Sequence, residues 1–83
     1  MRVGVQFSGT VRANRTVRYF THSWNPALHV LWTAVPTTPH RGARQIKWEV
    51  QIERAANNKV TYWIIITNLT SRNVNVEGRY AIL

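Results

Sequence analysis

Cysteine is absent from the 83 residues, which excludes a disulfide framework and any thiolate-ligated zinc or iron–sulfur site. Aspartate is absent as well, and the only acids are Glu49, Glu53 and Glu77. Carboxylate-dependent chemistry is therefore nearly closed off. Glu49 and Glu53 share one strand parity and lie about 13 Å apart at 3.3 Å per residue. A glycosidase pair needs about 5–9.5 Å. Three glutamates also leave little from which to complete a Ser–His–carboxylate triad, and none of Ser8, Ser23 and Ser71 sits in a Gly-flanked nucleophile elbow. His22, His29 and His40 show neither HxH nor HxxxH spacing, so no metal centre is expected. The four glycines are scattered at 4, 9, 42 and 78 and form no phosphate-cradling loop. The chain is read as a non-enzyme without metal or cofactor.

Long hydrophobic runs are missing too. The longest, Tyr62 to Ile66, has five residues, against the roughly 20 that cross a bilayer as a helix. Membrane insertion is not expected. Residues 1–15 hold no apolar stretch of signal-peptide length, so with Met1 as the true start the expected location is the cytoplasm. The triplets Asn14-Arg15-Thr16 and Asn68-Leu69-Thr70 match the N-glycosylation pattern, which matters only in a secreted eukaryotic chain.

What is present is aromatic, β-branched and basic. Hydrophobic residues make up 45% of the chain and four are Trp, enough for a thin core in one domain spanning 1–83. Eleven cations, nine of them Arg, give a net charge of +8. All six cations of residues 1–45 are arginines, with no acid among them, so the asymmetry lies in the first half. Such a charge attracts polyanions, and Arg favours bidentate contacts to phosphate, sulfate or carboxylate.

Apolar residues recur at period two along most of the chain, the signature of strands. Residues 2–8 place Val3, Val5 and Phe7 on one face, and Gly9 marks a bend or bulge. Residues 10–22 continue the alternation, with Asn14-Arg15 as a possible turn splitting it in two. Residues 27–35 are apolar on both parities, which predicts a strand covered on both sides. Pro36 to Gly42 is a loop. In residues 44–54, Ile46, Trp48, Val50 and Ile52 face one way and Lys47, Glu49, Gln51 and Glu53 the other, a spacing that argues against a helix. Ala55 to Asn58 reads as a hairpin loop with Asn in the left-handed positions. Residues 59–68 predict a central strand, and 74–83 a last strand with Val74, Val76, Tyr80 and Ile82 inward. Six or seven such strands predict a small antiparallel β-sandwich, with a barrel as the alternative.

Two surfaces stand out. If residues 10–24 formed one unbroken strand, Arg12, Asn14, Thr16, Arg18, Phe20, His22 and Trp24 would line one face, mixing cations, small polar groups and aromatics. Arg12, Asn14, Arg18, His22 and Trp24, with Arg41 at the tip of the Pro-bracketed loop, are the candidate ligand-binding residues. The surplus apolar positions Leu31, Trp63 and Ile65 predict a homo-oligomer interface. The function expected is a lectin-like recognition module binding a carbohydrate or acidic glycan as a homo-oligomer. The alternatives are a nucleic-acid-binding β module using Arg and exposed aromatics, and a purely structural assembly domain. Nine Thr and seven Asn favour hydroxyl recognition, whereas the charge favours nucleic acid.

Overall fold

The computed structural model describes residues 1–83 and contains six strands and no helix. They are β1 (Arg2–Val11), β2 (Thr16–Trp24), β3 (Val30–Pro36), β4 (Ile46–Ala56), β5 (Lys59–Asn68) and β6 (Val74–Ile82). Two antiparallel three-stranded sheets, ordered β1-β6-β3 and β2-β5-β4, pack face to face as a sandwich and do not close into a barrel. Only β4–β5 is a hairpin within one sheet. The other four connections cross between sheets, so every strand pair except β4–β5 joins segments distant in sequence.

The core lies between the sheets. The inner residues of β5, Val60, Tyr62, Ile64 and Ile66, meet Val74 and Val76 of β6, Trp32 and Ala34 of β3, and Val11 of β1. Full burial of side chains like Ile64 and Ile66 contributes about 1.5–3 kcal/mol each. Glycine makes room for aromatic rings here. Phe7 pairs with Gly78 across β1 and β6, and a Cβ on Gly78 would collide with the Phe7 ring. Phe7 in turn stacks on Tyr19 of the opposite sheet, with ring centroids 4.0 Å apart. The same economy operates at Gly4, where a Cβ would meet the Tyr80 hydroxyl at 2.6 Å.

Several features differ from strict alternation, each for a local reason. In β1 the register slips between Val5 and Phe7. A bulge reverses the side-chain parity beyond it, so Val3 and Val5 face out while Phe7 faces in. The bulge sits there and not at Gly9. Residues 12–15 turn the chain from one sheet to the other, with Asn14 in the left-handed region at φ 58°, and the run 10–24 is therefore not one strand. The segment 27–35 was expected to be covered on both sides. Only residues from Val30 onward form a strand, and that strand is an edge with Leu31 exposed. Strand β4 keeps Ile46, Trp48, Val50 and Ile52 on its inner side, but it too is an edge. Ile46 and Val50 pack on the core, whereas Ile52 is left 66% exposed. The β4–β5 hairpin turns at Asn57-Asn58 with neither Asn at positive φ. There a register shift between Glu53 and Ala56, and Arg54 Nη2 donating to the Asn57 carbonyl at 2.6 Å, shape the turn instead.

Candidate functional site

The outer face of the β2-β5-β4 sheet is built in cross-strand rows. Thr16, Thr67 and Lys47 stand in line, then Arg18, Ile65 and Glu49, then Phe20, Trp63 and Gln51. Beyond them Glu53 stands opposite Thr61, and His22 flanks Phe20 along its own strand. Phe20 is 61% exposed, with its ring centroid 5.3 Å from that of Trp63 and 6.1 Å from that of His22. The rings thus form one apolar, π-faced strip across two strands. Side chains that donate (Arg18, Gln51, Lys47) and accept (Gln51, Glu49, Glu53) stand around it. Neither Glu49 nor Glu53 makes an ion pair; the only one in the molecule is Arg79–Glu77, at 3.0 Å. Lys59, next to Thr61 on the same side of β5, makes three cations against two acids, so this face carries only a small part of the molecule's net +8.

Of the residues expected to bind a ligand, Arg18 and His22 lie on this face, both exposed. Trp24 does not. The β2 register slips between Thr21 and Trp24, Ser23 takes φ 66°, and the parity reverses, so Trp24 turns inward. Its indole donates to Thr21 Oγ1 at 2.9 Å, and its ring meets Trp32, Tyr62 and Tyr80 at 5.6–6.3 Å in an edge-on aromatic cluster. Arg12 and Asn14 sit in the turn after β1, and Arg41 in the loop after β3, at the end of the sandwich and off the sheet face. The predicted continuous surface therefore separates into two places.

The three expected interface residues also separate. Leu31 is on the outer face of the first sheet, while Trp63 and Ile65 are on the outer face of the second. They cannot form one patch. Ile65 is only 9% exposed within a single chain, because Arg18 and Glu49 flank it in register. Long charged side chains cover apolar surface with their stems, so that position needs no second subunit to bury it. Around Leu31, an open apolar depression of about 410 Å3 is lined by Val3, Val5, Thr33 and Ala81, with Arg79 of the central strand between Val5 and Thr33.

Sequence reasoning missed that Phe20 pairs with Trp63 and that Gln51, Glu49 and Glu53 share their face of the sheet. The strand parities held the signal for each residue singly. The pairing required the β2-β5-β4 order, which no local pattern carries.

The buried sequon is settled by geometry. Asn68 is 1% exposed and uses its whole amide: Nδ2 donates to the carbonyls of Val11 and Arg72 at 2.9 and 2.7 Å, and Oδ1 accepts from Thr70 N and Oγ1, both at 2.8 Å. No glycan can be attached there in the folded chain. No group of His and Glu side chains is placed to hold a metal ion, and no helix is long and apolar enough to cross a membrane.

Comparison with protein-family models, with curated proteins and with solved structures returns no match.

Proposed function

We propose that the domain is a non-enzymatic, lectin-like recognition module whose ligand is a neutral carbohydrate bound on the outer face of β2-β5-β4. The observation that carries this reading is the Phe20–Trp63 strip, exposed at its Phe20 end and ringed by hydrogen-bonding groups of both signs. A pyranose has an apolar C–H face that stacks on an aromatic ring and an equatorial rim of hydroxyls that both donate and accept. The face offers counterparts for each. Its charge balance favours a neutral sugar over a phosphodiester chain. Glu49 and Glu53 lie beside the aromatic strip with no cation paired to them and would repel phosphate, which offsets most of the attraction of Arg18, Lys47 and Lys59.

A glycan array probed in 0.15 M and 1 M NaCl tests the assignment. Neutral-sugar binding retained at high salt and lost in Phe20→Ala supports it, since little counterion release is involved. Binding confined to oligonucleotides, with a steep salt slope, refutes it in favour of the nucleic-acid reading. Absence of binding to every glycan also refutes it.

A further inference from the structure

Five arginines gather at one end of the molecule. The turn 12–15, the loop 37–45 and the turn 69–73 all lie at the end where β1, β3 and β5 finish and β2, β4 and β6 begin. Hydrogen bonds tie them together: Asn14 N donates to the Thr70 carbonyl at 3.0 Å, Ala13 N to Asn73 Oδ1 at 3.2 Å, and Leu69 N to the Gln45 carbonyl at 2.8 Å. The loop 37–45 is held at its base by Thr37 N donating to the Asn75 carbonyl at 2.7 Å and by Gln45 Nε2 donating to the Thr38 carbonyl at 2.6 Å. These three segments carry Arg12, Arg15, Arg41, Arg44 and Arg72 and not one acid. All five arginines are exposed, and none is paired with a carboxylate. The end also presents one large apolar side chain, Leu69, 45% exposed.

We infer that this end docks on an anionic lipid surface, with the long axis of the sandwich standing away from the bilayer. Three arguments select that partner. The charge sits on three separate connections at the tip of a molecule measuring 43 × 24 × 16 Å, and a flat surface of phosphate and carboxylate headgroups meets all three at once. The segments contain no Phe, Tyr or Trp, the large rings on which single-strand binders stack successive bases. Leu69 among the arginines supplies the apolar contact that interfacial binders add to electrostatic attraction. Each Arg near such a surface strengthens binding by about five-fold at physiological salt. This docking rests on different residues from the carbohydrate reading, and it leaves the Phe20–Trp63 face free.

The test is co-sedimentation of the full chain with phosphatidylcholine vesicles containing 30% phosphatidylserine, against pure phosphatidylcholine, in 0.1 M and 0.5 M NaCl. The expected result is binding to the anionic vesicles alone, weakened by high salt. The double variant Arg41→Gln/Arg44→Gln should weaken it about 25-fold, as should Arg12→Gln/Arg15→Gln. Arg2→Gln/Lys59→Gln, which removes the same charge at the opposite end, should weaken it far less, and Phe20→Ala should leave it unchanged. Circular dichroism melting of each variant confirms that it is folded. No binding to the anionic vesicles overturns the proposal, and so does equal weakening by the variants at both ends. Complete displacement from the vesicles by single-stranded DNA at an equal phosphate concentration also overturns it, pointing to nucleic acid as the polyanion.

Discussion

Phe20 and Trp63 stand directly opposite one another in the β2–β5 register, their ring centroids 5.3 Å apart and their planes 34° from parallel, on the solvent side of the sheet. A cross-strand aromatic pair contributes to sheet stability, but its position leaves Phe20 mostly uncovered. Phe20→Ala should therefore cost less than about 1 kcal/mol of stability, while sugar affinity falls about ten-fold or more, the loss of ~1.4 kcal/mol. Urea denaturation and isothermal titration on the same sample separate the two effects.

Trp24 provides the opposite case. It packs edge-on against Trp32, Tyr62 and Tyr80 and is tied to Thr21. Trp24→Ala should destabilise the fold by about 3–5 kcal/mol. Trp24→Phe keeps much of the ring but leaves Thr21 Oγ1 without that donor, and it should cost less. Thermal melts of the two variants should rank in that order.

Gly78 and Gly42 predict contrasting responses to one added methyl group. At Gly78 the methyl would occupy the space of the Phe7 ring in the core, and overpacking of that kind costs about 1–3 kcal/mol. At Gly42 nothing lies within 4 Å, but φ is +84°, so Gly42→Ala should cost about 1 kcal/mol through the backbone alone. Chemical denaturation of both Ala variants checks the ordering, and only Gly78→Ala should disturb the near-ultraviolet aromatic spectrum.

Asn68 joins the ends of three strands through a fully satisfied buried amide. Asn68→Ala takes a donor from the Val11 carbonyl and the acceptor from the buried Thr70 N–H, a loss of about 1–3 kcal/mol per unsatisfied group, whereas the Arg72 carbonyl keeps Thr70 Oγ1. Asn68→Asp should be worse at neutral pH, because an ionised carboxylate would face those two carbonyl oxygens. Protonation removes that repulsion, so the stability of the Asp variant relative to the Ala variant should rise as pH falls. Melting curves at pH 7 and pH 4 measure the change.

The all-β sandwich was legible because β5 and β6 carry their inner residues at an unbroken period of two, and the helix-free reading of 44–54 follows from the same periodicity. The faces were less legible where a single extra residue intervenes. The bulges after Val5 and Thr21 reverse the parity of everything beyond them, and Trp24 moves from the expected ligand face into the core for that reason. The apolar surplus was also misread at Ile65, where charged neighbours on adjacent strands supply cover that a single-strand pattern cannot show. The clustering of Arg12, Arg41 and Arg72 depends on connections that cross between the sheets, which only the topology reveals.

The carbohydrate assignment is tested most directly by an amide chemical-shift titration of the 15N-labelled domain with the neutral oligosaccharide it binds best. The account predicts perturbations concentrated at 16–22, 47–53 and 61–67, with the largest near Phe20, Trp63 and Gln51, and little change at 12–15, 37–45 and 69–73. Perturbations centred on those loops, or on the Val3, Val5 and Leu31 depression, would contradict it.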